Sequence, residues 1–122
     1  MATGDSTTST VIDFGAHLHP SEPASSFAYV DEHHGPIYRD IDLARERFEA
    51  GGLDGAVFSQ SRHMGDDDLE ENRAANDELL AAVDGHDHYY ALAALPTPVG
   101  GEAAAAELER CLENGYNGGA LE

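Results

Sequence analysis

Lysine is absent from this chain of 122 residues, and its six basic residues, all arginine, face 24 acids for a formal charge of -18. A surface so negative repels phosphate backbones and anionic headgroups, which argues against nucleic acid and membrane partners. The missing lysine, set beside so many carboxylates, reads as adaptation to a salt-rich cytoplasm, because at molar salt the Debye length falls to ~3 Å and like charges are screened. Cysteine occurs once, which excludes an internal disulfide framework. Cys111 falls on the apolar stripe of a helical segment and reads as core, not as a nucleophile. No run approaches the ~18 to 20 apolar residues of a membrane span. The opening Met-Ala-Thr-Gly-Asp-Ser-Thr-Thr-Ser-Thr lacks the basic and apolar regions of a signal peptide, so residues 1–10 read as a loose tail ahead of one domain over 11–122.

What is present is an alternation of short apolar runs and helical periodicities. Val11-Ile12-Asp13-Phe14-Gly15-Ala16-His17-Leu18-His19-Pro20 reads as a strand ending in two histidines one residue apart. Alternation along a strand sends both imidazoles to one face at its carboxyl end. Two imidazoles suit a borderline ion such as zinc, although a catalytic site needs about three protein ligands. Ile41 to Glu49 follows as a helix, with Asp40 as cap and Gly51 as stop. Gly55 to Ser61 is a second strand, and about Asp68 to Asp84 a longer helix with acids in its first turn, Leu69, Leu79, Leu80 and Val83 on its stripe, and Gly85 at its end. Asn72 and Asn76 interrupt that stripe and are expected to bond backbone. Tyr89 to Leu95 is a third strand. Glu102 to Asn114 is a third helix with Ala104, Leu108, Cys111 and Leu112 inward, and Gly119-Ala120-Leu121 opens a fourth strand. This order predicts an α/β fold of parallel βαβ units.

The first strand, together with Asn76-Asp77-Glu78-Leu79-Leu80, Ala91-Leu92-Ala93-Ala94-Leu95-Pro96, Glu107-Leu108-Glu109-Arg110-Cys111 and Asn114-Gly115-Tyr116-Asn117-Gly118-Gly119-Ala120, resembles the start of an amidohydrolase. The likeness is to the branch of metal-dependent hydrolases and decarboxylases that includes aminocarboxymuconate-semialdehyde decarboxylase. It runs from about residue 11 to the end. The order of the separate segments makes it more specific than any one of them. Such proteins form (β/α)8 TIM barrels of ~250 residues, so the resemblance implies an incomplete barrel: three βα units and the start of the fourth strand. It also implies a divalent metal, zinc above all, and a small carboxylate, amide or lactone as substrate. The family's first strand reads Asp-x-His-x-His with a proline three positions further on. Counted from Asp13 and back from Pro20, His17 takes the second ligand position and Gly15 stands at the first. His19, one residue pair beyond, is the candidate substitute, so His17 and His19 are the expected metal ligands.

Ser59 ends the second strand and His63 follows it, and both are expected to touch substrate; Gln60 is a further hydrogen-bonding candidate. Ser21 to Arg39 reads as a long irregular loop on the active-site face, a lid or substrate wall carrying His33 and His34 as solvated side chains. His86 and His88 precede the third strand, on the stability-bearing end, and are assigned no chemistry. The alternative is a non-catalytic half-barrel, an assembly piece or homo-oligomer, since four unclosed parallel strands leave two edges unpaired. A small ligand-binding module has little support, because Gly51-Gly52, Gly100-Gly101 and Gly118-Gly119 do not form a phosphate loop after a strand.

Overall fold

The structure, a computed structural model, describes residues 10–20, 28–60, 63 and 65–120. Its elements run β1 (Ile12–His17), α1 (Ala28–His34), α2 (Ile41–Ala50), β2 (Gly55–Ser59), α3 (Leu69–Val83), β3 (Tyr89–Ala94), a 3-10 turn (Thr97–Val99), α4 (Gly101–Glu113) and β4 (Gly118–Ala120). The expected tail over 1–9, part of the expected loop over 21–27, and Ser61 and Leu121 of two expected strands lie outside the described residues. The strands form one sheet in the order β1-β2-β3-β4, and every pairing is parallel.

Local chemistry sets the helix ends. Asp40 takes the N–H groups of Asp42 and Leu43 at the start of α2, and Asp68 takes those of Glu70 and Glu71 at the start of α3. Each carboxylate satisfies donors that have no partner inside the helix, typically ~1 kcal/mol per cap. Beyond α3 and α4 the chain reverses at Gly85 (φ 83°) and Gly115 (φ 111°), backbone that favours glycine.

A sheet whose strands lie in sequence order, joined by right-handed crossovers, carries its helices on one face. The core agrees. Ala16, Leu18, Ala56, Phe58, Tyr89, Ala91, Ala93 and Leu95 of the sheet pack in one cluster with Leu79 and Val83 of α3, Ala104 and Cys111 of α4, and partly buried Ile41 and Phe48 of α2. Alternation then puts Val57, Ser59, Tyr90 and Leu92 on the opposite face, where Val57 and Ser59 are buried and Tyr90 is exposed. This is the coarse form of the expected fold, a four-stranded parallel α/β sheet.

Two expectations are corrected. The stretch from Ser21 to Arg39 is not irregular throughout: α1 occupies Ala28–His34, tied to the following turn by an Arg39–Asp31 ion pair of 2.6 Å. In α4, Leu112 is exposed, and its place inside is taken by Glu107, which has no exposed surface.

Glu107 is tolerated because every neighbour answers its charge. Arg110 donates to both of its oxygens, at 2.7 and 2.8 Å, Asn76 donates at 2.8 Å, and the Cys111 thiol donates at 3.3 Å. Burial alone raises its pKa. The hydrogen bonds from Arg110, Asn76 and Cys111 and the charge of Arg110 outweigh that and hold it below the ordinary glutamate value. Burial, reinforced by Glu107, pushes the Cys111 thiol up to about 12, so the cysteine is a protonated core donor, as expected of it.

Asn76 also donates to the Ala94 carbonyl at 3.0 Å and accepts from the Ala94 N–H at 2.8 Å. Its carboxamide thus acts as a peptide neighbour for the end of β3, beyond the reach of β2. Asn72 donates to the same carbonyl at 3.0 Å. Both asparagines bond backbone as the sequence predicts, with the partner on the sheet and not on their own helix.

Candidate functional site at the carboxyl ends of the strands

The carboxyl ends of β1 and β2 bring the sequence-derived candidates together in two pairs. His17 is partly exposed on the last residue of β1, and its register partner is Ser59. The Ser59 hydroxyl lies 3.3 Å from His17 Nδ1, so it orients the ring; which of the two donates depends on the imidazole tautomer. β1 stops at His17. The His19 N–H donates to the Tyr38 carbonyl at 2.6 Å, and the residue is 1% exposed. Its ring neighbour is His63, with centroids 6.5 Å apart. His17 thus meets Ser59, and His19, two residues on, lies beside the His63 ring.

Gly15 sits in an irregularity of β1, where the register with β2 shifts between Asp13 and Ala16. Its N–H donates to Asp13 Oδ1 at 2.9 Å. A Cβ at this position would meet nothing nearer than that oxygen, 3.9 Å away, so a side chain fits here. Among the described residues, His17 and His19 are not joined by a third histidine, cysteine or carboxylate in a ligand group. Two imidazoles against the about three ligands of a catalytic zinc do not fit a complete centre.

Gln60 donates to the Ala75 carbonyl at 2.6 Å, which fixes α3 to the end of β2 and commits its donor to the fold. His63 Nδ1 is 2.7 Å from Asp66 Oδ2, and Asn72 donates to the His63 carbonyl at 3.3 Å. With Glu71, in the first turn of α3, these form a group whose ligand atoms lie within 4.8 Å of one another. The sequence reading missed Asp66 and Glu71. A histidine followed three residues later by an acid and a helix N-terminus was the available signal, hidden in a run of acids that resembles a solvated face.

A cavity of about 240 Å³ lies along the outer edge of β1, between Gly15, Ala16 and His17 and the Tyr38, Arg47 and Phe48 side chains. His17 is among its lining residues, so the cavity borders the His17–Ser59 pair. His86 stacks near Tyr89, with centroids 5.8 Å apart, and His88 holds a φ of 65°; both lie at the amino end of β3.

No family model matches the chain, and no curated protein matches it. No helix among the described residues is long and apolar enough to cross a membrane.

Proposed function

We propose that this chain supplies the opening βα units of a barrel enzyme of the amidohydrolase type, a metal-dependent hydrolase or decarboxylase of a small carboxylate, amide or lactone. The observation that carries the reading is topological. A parallel sheet in sequence order, helices on one face, gathers His17, Ser59, His19 and His63 at the carboxyl ends of β1 and β2, the end at which barrel enzymes build their sites. The resemblance adds the metal, with His17 and, in place of the position held by Gly15, His19 as its first ligands, and the acid-rich, lysine-free composition adds a salt-adapted cytoplasm as the setting. On this reading the residues present bind and orient. Ser59 fixes the His17 ring, and the sheet face beside it forms one wall of the substrate chamber, leaving the remaining ligands and the proton-transfer group to later strands.

The test uses a protein that carries the remaining strands in frame. His17→Ala should lower metal stoichiometry and turnover together, by ~10-fold or more, and Gly15→His should raise metal affinity by completing the pattern. Unchanged metal content in the His17 variant would overturn the ligand assignment. Residues 1–122 by themselves should show no turnover on ester, lactone, amide or unsaturated-acid substrates. Metal-dependent turnover by the purified 122-residue chain would overturn the partial-barrel reading.

Among the described residues the outer edges of β1 and β4 have no partner strand, which favours a second reading, a non-catalytic half-barrel that assembles through its edges. A discrete dimer mass by light scattering, with neither metal nor turnover in the extended protein, distinguishes it.

A further inference from the structure

We infer that His63, Asp66 and Glu71 form a divalent transition-metal site at the β2–α3 junction, a ligand set distinct from the His17 position and bordered by the His19 ring. Their ligand atoms lie within 4.8 Å of one another, and the His63 and Asp66 atoms are already 2.7 Å apart. Two ligands on a tetrahedral zinc at ~2.0 to 2.2 Å stand ~3.3 Å from each other. His63 and Asp66 thus open by ~0.6 Å or slightly more and the exposed Glu71 swings in.

Local charge favours the ion. Residues 66–71 include Asp66, Asp67, Asp68, Glu70 and Glu71. Asp68 is engaged as the helix cap, and no arginine among the described residues pairs with Asp66 or Glu71. A cation between the two carboxylates relieves their repulsion. The imidazole selects its class, because nitrogen together with carboxylate oxygen suits zinc or iron, whereas calcium and magnesium take all-oxygen sets. The site is also framed. His63 and Asp66 side chains are only 13% and 14% exposed, Asn72 holds the His63 backbone, and the His19 ring stands behind on the buried side. Two donors are therefore pre-positioned, and the exposed Glu71 and water complete the coordination from outside.

The inference does not depend on the enzymatic reading, and the experiment separates the two. The chain is stripped with chelator in molar potassium chloride and titrated calorimetrically with zinc chloride. Cobalt is added in parallel for its visible absorption, which reports nitrogen and carboxylate ligation directly. One equivalent should bind. Glu71→Gln, on an exposed side chain that leaves the fold unchanged by circular dichroism, should weaken binding ~10-fold or more, as should Asp66→Asn. His63→Ala should abolish the cobalt band, and Glu109→Gln, on the exposed side of α4, should leave both readouts as they are. No binding overturns the site, as does affinity unaltered in Glu71→Gln and Asp66→Asn. Binding lost only with His17→Ala overturns it too, by placing the ion at the end of β1.

Discussion

Single residues in this chain are fixed by what stands against them. Gly55 opens β2, and a Cβ there would collide with the carbonyl of His88. His88 in turn holds positive φ at the turn that delivers Tyr89 into the sheet. Neither backbone can yield without disturbing the β2–β3 pairing, so Gly55→Ala should destabilise by about 3 kcal/mol, the upper end of overpacking costs. Urea unfolding checks this, and a loss under ~1 kcal/mol would mean the strand ends shift freely. Glycine at Gly55 and histidine at His88 carry no such message in sequence, because the contact joins residues remote along the chain. Cys111, by contrast, was legible: an apolar stripe at helical spacing buries it. With its pKa near 12 it should react with a thiol reagent at pH 8 far more slowly than a free thiol, and rapidly only on unfolding.

At the scale of elements, what the sequence announces is what short-range chemistry decides. Asp40 and Asp68 mark helix starts and Gly85 and Gly115 the reversals beyond helix ends, so α2, α3 and α4 fall within a residue or two of expectation. α1 escaped because Ala28–His34 carries no helical stripe and leans on the Arg39–Asp31 pair. Glu107 escaped because its burial depends on Asn76 from α3 and on Arg110, partners that no periodicity reveals. The α3–α4–β3 junction is accordingly sensitive. Asn76→Ala removes both bonds to Ala94 and one to Glu107, leaving buried groups unsatisfied, and should cost about 3 kcal/mol. Glu107 also sets an acid limit. Its folded pKa lies below the unfolded value, so the stability it contributes is fully present above the ordinary glutamate range and is lost as pH falls through the lower folded value. Glu107→Gln should lower stability at pH 7 by about 2 kcal/mol and flatten its decline below pH ~4. A decline as steep as the wild type's would place the acid sensitivity in other carboxylates. The candidate site was legible in the same partial way: His17, His19, Ser59 and His63 were all named from strand ends, whereas their division into two pairs follows from where β1 stops and how the β2–α3 junction folds back.

The whole molecule is governed by its charge of -18. Among the described residues a handful of carboxylates are neutralised by geometry, chiefly Glu107 and Asp77 by Arg110 and Asp31 by Arg39. The remaining acids repel one another across the surface, and compaction brings them closer. A four-stranded sheet with two unpaired edges buries less apolar area per residue than a closed barrel, which leaves little stability to oppose that repulsion. Salt changes the balance, since the screening length falls from ~10 Å at 0.1 M to ~3 Å at 1 M, and the burial of Phe58, Leu79 and Leu18 then prevails. The chain should be largely unfolded or associated in dilute buffer and gain helical circular dichroism as potassium chloride approaches molar concentration. Sodium sulfate should act at lower concentration than the chloride, because it strengthens apolar burial as well as screening charge. A helical signal already complete in dilute buffer and flat through the titration would show that the fold does not depend on the acidic surface being screened.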